Sequence, residues 1–150
     1  MGACWVNSEG EILDTFQSFV RPVVNRILTP FCTELTTITQ DKVDGAPTFD
    51  QVSPLLQEFA IKYLEEQSIW ASWGNYDRSQ FEHDSARHRV ENPAAHLPHA
   101  NLKKIFAKRR TTKRMGMMGA LQIAGIEHIG LHHRALDDAI NIAQLLHVMR

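Results

Sequence analysis

Apolar positions recur with a period of two near the start of this 150-residue chain and with helical spacing further on. Ala3 to Asn7 is a short, mostly apolar run, Ser8-Glu9-Gly10 is turn chemistry, and Ile12 to Val20 sets Phe16 between polar Thr15 and Gln17. This pattern predicts two strands joined by a turn and closed by Arg21-Pro22. Residues 23–47, broken by Pro30, Gly45 and Pro47, read as loop and short turns. Thr48 with Gln51 three residues on has capping-box spacing. Val52, Leu55, Leu56, Phe59, Ala60, Tyr63 and Leu64 then form an amphipathic stripe, with a kink expected at Pro54.

The second half alternates element types. Ser68 to Trp73 reads as a buried strand ended by Gly74-Asn75, and a charged helix is expected from Asp77 to Arg89. Asn101 to Phe106 is a candidate short strand. Helices are expected over Thr112 to Ala124, with Met115, Met118, Leu121 and Ile123 among its apolar residues and Gly125 as cap, and over Arg134 to Met149, with Leu136, Ala139, Ile140, Ala143 and Leu146 inward. Strand, tight turn and helix in succession predict a mixed α/β fold in one domain.

Composition narrows the class. Apolar residues at 43% and charged residues at 22% exclude a disordered or collagen-like chain. No apolar run approaches a membrane span and the first 30 residues lack a signal-peptide pattern. Cys4 and Cys32 cannot form a disulfide scaffold, so a cytoplasmic protein is expected. The formal net charge of −1 hides a block without acids, Lys103, Lys104, Lys108, Arg109, Arg110, Lys113 and Arg114. Such a block suits a polyanion or is simply a solvated face.

Asp77, just past a predicted strand, stands where open α/β sheets place functional groups, or caps the following helix. His133 and Asp138, five residues apart, meet only if His133 lies on the loop leading into a helix that carries Asp138 in its first turns. A helix N-terminus also welcomes Asp137 and Asp138 through its dipole alone. His83-Asp84 suggests a helical metal phosphohydrolase, but the opening strands argue against that fold. Two cysteines 28 residues apart lack zinc-site spacing, and His96 and His99 flank Pro98 as expected surface residues. There is no Gly-rich phosphate loop and no Gly-x-Ser-x-Gly elbow. Trp70, Trp73, Met115, Met117 and Met118 read as core rather than as stacking platforms for bases.

Phe16 to Pro22, Phe31 to Gln40 with Val43-Asp44, Trp73 to Asp77 and above all His133 to Ala143 resemble the Eri1-like 3′–5′ exonucleases of the DEDDh group. The resemblance spans essentially the whole chain and implies a ribonuclease H-like mixed sheet flanked by helices. It implies hydrolysis of RNA or DNA at single-stranded 3′ ends to nucleoside 5′-monophosphates, with no membrane partner. Asp77 and Asp138 would help hold two divalent cations, Mg²⁺ or Mn²⁺, and His133 would deprotonate the attacking water. Leu35-Thr36-Thr37-Ile38 resembles the loop that receives the terminal nucleotide, with Thr37 where the family commonly has Gly. Lys108, Arg109 and Arg110 would steer the phosphate backbone.

One part of the family pattern is absent. The Asp-x-Glu of the first, central strand should precede Ala3, and Glu9, Glu11 and Asp14 fall too late to replace it. The expectation is an N-terminally truncated domain, short by roughly ten to twenty residues, with β-edges left open beside the missing strand. An inactive chain follows if that motif is truly absent. The alternative is a non-catalytic nucleic-acid-binding protein that keeps the fold, and a third is a strand donated by another protomer.

Overall fold

In the computed structural model, which describes residues 1–149, the opening alternation folds as an antiparallel hairpin. Strand β1 (Gly2–Val6) pairs with β2 (Ile12–Gln17), Ala3 opposite Phe16 and Cys4 opposite Thr15. Asn7 makes the turn: its Oδ1 accepts the amides of Glu9 at 3.0 Å and Glu11 at 2.9 Å. Gly10 takes φ +90°, a conformation open to glycine without cost. The second strand stops at Gln17 rather than Val20, because pairing runs out where Ser18 N–H reaches the Met1 carbonyl.

The two faces of the hairpin are covered by different helices. On one, Trp5 Nε1 donates to the Phe59 carbonyl at 2.6 Å and Phe16 packs on the Phe59 ring. Phe59 belongs to α3 (Phe49–Ile61), which buries Phe49, Val52, Ser53 and Leu56, the i, i+3, i+4, i+7 set. Gln51 Oε1 accepts the Thr48 amide at 2.9 Å, so the expected cap is present. The helix runs on through Pro54; Leu55, expected inside, is exposed because the buried stripe lies one position away, and Leu64, also expected inside, is exposed beyond the helix end at Ile61. On the other face Cys4 Sγ lies 3.5 Å from the Ala139 carbonyl, and a Cβ on Gly2 would meet the Leu136 backbone. Both belong to α7 (Ala135–Leu146), shorter at each end than the sequence suggests.

Two short helices occupy the stretch read as loop. In α1 (Pro30–Thr36) Thr29 Oγ1 accepts the Cys32 amide and Pro30 fills the first helical position; α2 (Gln40–Asp44) follows.

The second sheet is smaller than expected. Strand β3 (Trp70–Ser72) pairs in parallel with β4 (His99–Asn101), and of its three residues only Ser72 is buried. Helix α4 (Tyr76–His88) follows β3. Of the segment Asn101–Phe106, expected as a strand, only Asn101 is in one, as the last residue of β4. Asn101 Oδ1 caps Lys104 N–H and the chain turns into α5 (Leu102–Arg109), which buries Leu102 and Phe106 one turn apart. The helix expected from Thr112 begins only at Met117, as α6 (Met117–Ala124). Before it the Met115 carbonyl accepts the Trp73 indole N–H, and Lys113 and Arg114 stay in solvent.

Leu102, Phe106, Met117, Ala120, Leu121, Leu145 and Met149 form the main core, edged by Trp73 and Met115. Met118, expected inside, is exposed. The class is α/β, with helices flanking two separate two-stranded sheets; among the described residues no strand joins β1 to β3. No helix is long and apolar enough to cross a membrane.

Candidate functional site

The loop from Ile126 to Arg134 is fastened to the start of α7 by two side chains. Asn141, fully buried, accepts Ile129 N–H at 2.9 Å and donates to the carbonyls of Ile129 and Asp137, both at 2.7 Å. Asp137 Oδ2 accepts Leu131 N–H at 2.8 Å, and its carboxylate fills the space where a Cβ on Gly130 would stand. Adjacent acids therefore do different work, for Asp137 locks the loop and Asp138 faces its histidines.

Asp138 Oδ1 lies 3.0 Å from His132 Nδ1 and accepts the backbone N–H of His133 at 3.3 Å. His133, on the loop with φ +67°, stacks its ring on that of His132 at 3.8 Å between centroids. His132 was not singled out by sequence reasoning, and neither was His128, whose ring stands edge-on to it at 5.9 Å. His128 and His132 have the i, i+4 spacing of a helix face, but no helix forms there, and only the folded loop brings the two together with Asp138.

Leu35 to Ile38 reach the same place from the other end of the sequence. Thr37 caps α1 at φ +57°, left-handed backbone that glycine takes without strain. Arg134 Nε donates to Thr37 Oγ1 at 3.0 Å, and the guanidinium lies 6.0 Å from the Phe19 ring. This bond draws Leu35, Thr36, Thr37 and Ile38 to the loop that carries His133. Asp77 lies exposed in the first turn of α4; the capping position belongs to Asn75, whose Oδ1 accepts from Asn101 at 2.7 Å. Lys108, Arg109 and Arg110 are exposed at the end of α5, and among the described residues none is in a salt bridge.

His99 corrects the sequence reading. It is half-buried on β4, not on a surface loop, with Nε2 2.9 Å from Ser72 Oγ. Desolvation, and secondarily the Arg78 charge, holds its pKa below the ordinary histidine value.

An exonuclease family model matches residues 3–146. The chain belongs to this family. It is 34% identical over 148 residues to mouse 3′–5′ exoribonuclease 1, covering 90% of this chain and 41% of that protein. It is 33% identical over 142 residues to human ERI1 exoribonuclease 3, covering 91% and 42%. The chain thus spans about two fifths of the length of the curated relatives it matches. A crystallographic structure of the nuclease domain of 3′hExo, a DEDDh family member bound to rAMP, superposes with TM-score 0.86 at 31% identity, over 97% of this chain and 76% of that one. A 3′-exonuclease described in 3′-end specific recognition of histone mRNA stem-loop gives 0.87 at 31% identity, over 94% and 66%.

DEDDh exonucleases use divalent metal ions. Hard cations such as Mg²⁺ take oxygen ligands, and a pair of them needs several carboxylates. Residues 1–150 contain no Asp-x-Glu sequence. The one group of three or more ligating side chains found among the described residues is His128, His132 and Asp138, which excludes Asp77. This donor set does not by itself fit a pair of hard cations.

Proposed function

We propose that the chain forms the body of a 3′–5′ exonuclease that trims single-stranded RNA or DNA and releases nucleoside 5′-monophosphates. The family match supports the reaction class, and the Arg134–Thr37 hydrogen bond is the observation that carries the site. It ties the segment assigned to the terminal nucleotide, Leu35-Thr36-Thr37-Ile38, to the loop and helix start assigned to chemistry.

In this reading the terminal nucleotide lies along Leu35 to Ile38, with Leu35 exposed to meet it. His133, exposed on its loop, takes the proton of the attacking water as an imidazole general base. Asp77 and Asp138 would help hold two divalent cations, Mg²⁺ or Mn²⁺, a pair that needs further carboxylates beyond these two. Lys108, Arg109 and Arg110 draw in the phosphate backbone. The relatives are named exoribonucleases, which makes RNA the first substrate to test. The free cysteines Cys4 and Cys32 agree with a reducing cytoplasm.

The small carboxylate count favours a second reading, a protein that binds nucleic acid without cutting it. One experiment separates the two. The chain is mixed with 5′-labelled single-stranded RNA and either cation. A ladder shortening from the 3′ end, slowed about 10²–10⁴-fold in His133→Ala, supports hydrolysis. Binding by fluorescence anisotropy without shortening supports the second reading. Absence of binding to both RNA and DNA overturns both.

A further inference from the structure

Beside the N-terminus of α7, one ring nitrogen of His128, one of His132 and a carboxylate oxygen of Asp138 all lie within 4.8 Å of one another. Ligands around a tetrahedral Zn²⁺ stand roughly 3.3 Å apart. His132 Nδ1 and Asp138 Oδ1 are already at 3.0 Å, so the remaining approach is a matter of side-chain torsion.

A second observation concerns His128 alone. Its Nε2 is sealed from solvent and has no hydrogen-bond partner. A dry, unpaired ring nitrogen is unfavourable, and buried polar atoms in folded proteins almost always find a partner. The His132–Asp138 contact can be understood as a loop-fixing hydrogen bond, but that account leaves the His128 ring with its capacity unspent.

The backbone around the three groups is already organised. Asn141 grips Ile129, the residue after His128, and Asp137 grips Leu131, the residue before His132. Such anchoring lowers the cost of ordering a ligand loop. The chemistry of the donors then selects the ion. Two imidazoles and one carboxylate suit a borderline ion and leave a fourth position for water, whereas Mg²⁺ prefers an all-oxygen set.

We propose that His128, His132 and Asp138 form a binding site for a single transition-metal ion of the Zn²⁺ type. The site shares Asp138 with the exonuclease reading but does not rest on it.

The test is direct binding to the metal-free full chain. Calorimetric titration with Zn²⁺ gives one ion per chain, and Co²⁺ gives a visible ligand-field spectrum of low coordination number. His128→Ala and His132→Ala each weaken the affinity by roughly tenfold or more. His96→Ala, at an exposed loop histidine, leaves it unchanged. Far-UV circular dichroism verifies the fold of each variant, and His132, being exposed, tolerates truncation. No saturable binding, an affinity indifferent to both His128→Ala and His132→Ala, or an equal loss in His96→Ala would overturn the proposal.

Discussion

Arg134 and Thr37 are 97 positions apart in sequence and joined by a 3.0 Å hydrogen bond from guanidinium Nε to hydroxyl Oγ1. Both partners are special. Thr37 pays for left-handed backbone as the cap of α1, and Arg134 caps α7. Thr37→Val keeps the branched side chain in that backbone and removes the acceptor. A loss of about 0.5–1 kcal/mol in urea denaturation is expected. The loss should not grow by the full Arg134→Ala increment in the double variant; strictly additive losses would mean that the bond contributes nothing.

Asn141 holds the site loop from below, and its side chain is fully buried. Asn141→Leu is expected to cost about 2–4 kcal/mol, because it strands the Ile129 amide and carbonyl. The denaturation midpoint should fall with an unchanged m-value. A midpoint equal to that of the parent would show the loop to be fastened elsewhere.

The basic end of α5 is read through salt. Replacing Lys108, Arg109 and Arg110 together by Ala should flatten the plot of log affinity for single-stranded RNA against log salt. Each lost phosphate contact removes about 0.7 from the slope. An identical slope removes these residues from the interface.

His99 gives the fold an acid-side sensitivity. Its pKa is depressed in the folded state, so as pH falls the unfolded chain takes the proton first. The stability tied to neutral His99 is therefore complete above about pH 6.5 and is lost below it. His99→Gln should lose less stability than the parent between about pH 7.5 and 5.5, measured by urea melts. Parallel losses would place the acid sensitivity at other groups.

The long elements were legible because each carries local signals. Helix α3 has Thr48 and Gln51 at its start and a clear stripe, and α7 has paired acids in its first turn. Short elements defeated the same reasoning. Asn101 to Phe106 looks like a strand over six residues, and only the capping of Lys104 by Asn101 and the one-turn separation of Leu102 and Phe106 reveal a helix. Helix α1 did announce itself, through Thr29 and Pro30, but seven residues are too few for periodicity to register. At the site, sequence spacing let His133 and Asp138 meet only if His133 lay on the loop leading into the helix, and the structure puts His133 on that loop. Spacing could not reveal that His132 takes the Asp138 carboxylate, since that depends on the left-handed turn at His133 and on the grip of Asn141 on the loop.

The separation of the two sheets has a consequence for motion. The β1–β2 hairpin and the β3–β4 pair share no strand pairing among the described residues. They communicate through side-chain packing, chiefly by way of α7 and the core it shares with α5 and α6. Backbone ladders propagate opening cooperatively, whereas helix packing between ladders lets one part open while the other stays closed. Amide hydrogen exchange in native conditions should then fall into two families, with β3 and β4 losing protection in smaller fluctuations than the hairpin clasped between α3 and α7. The molecule would breathe in two halves.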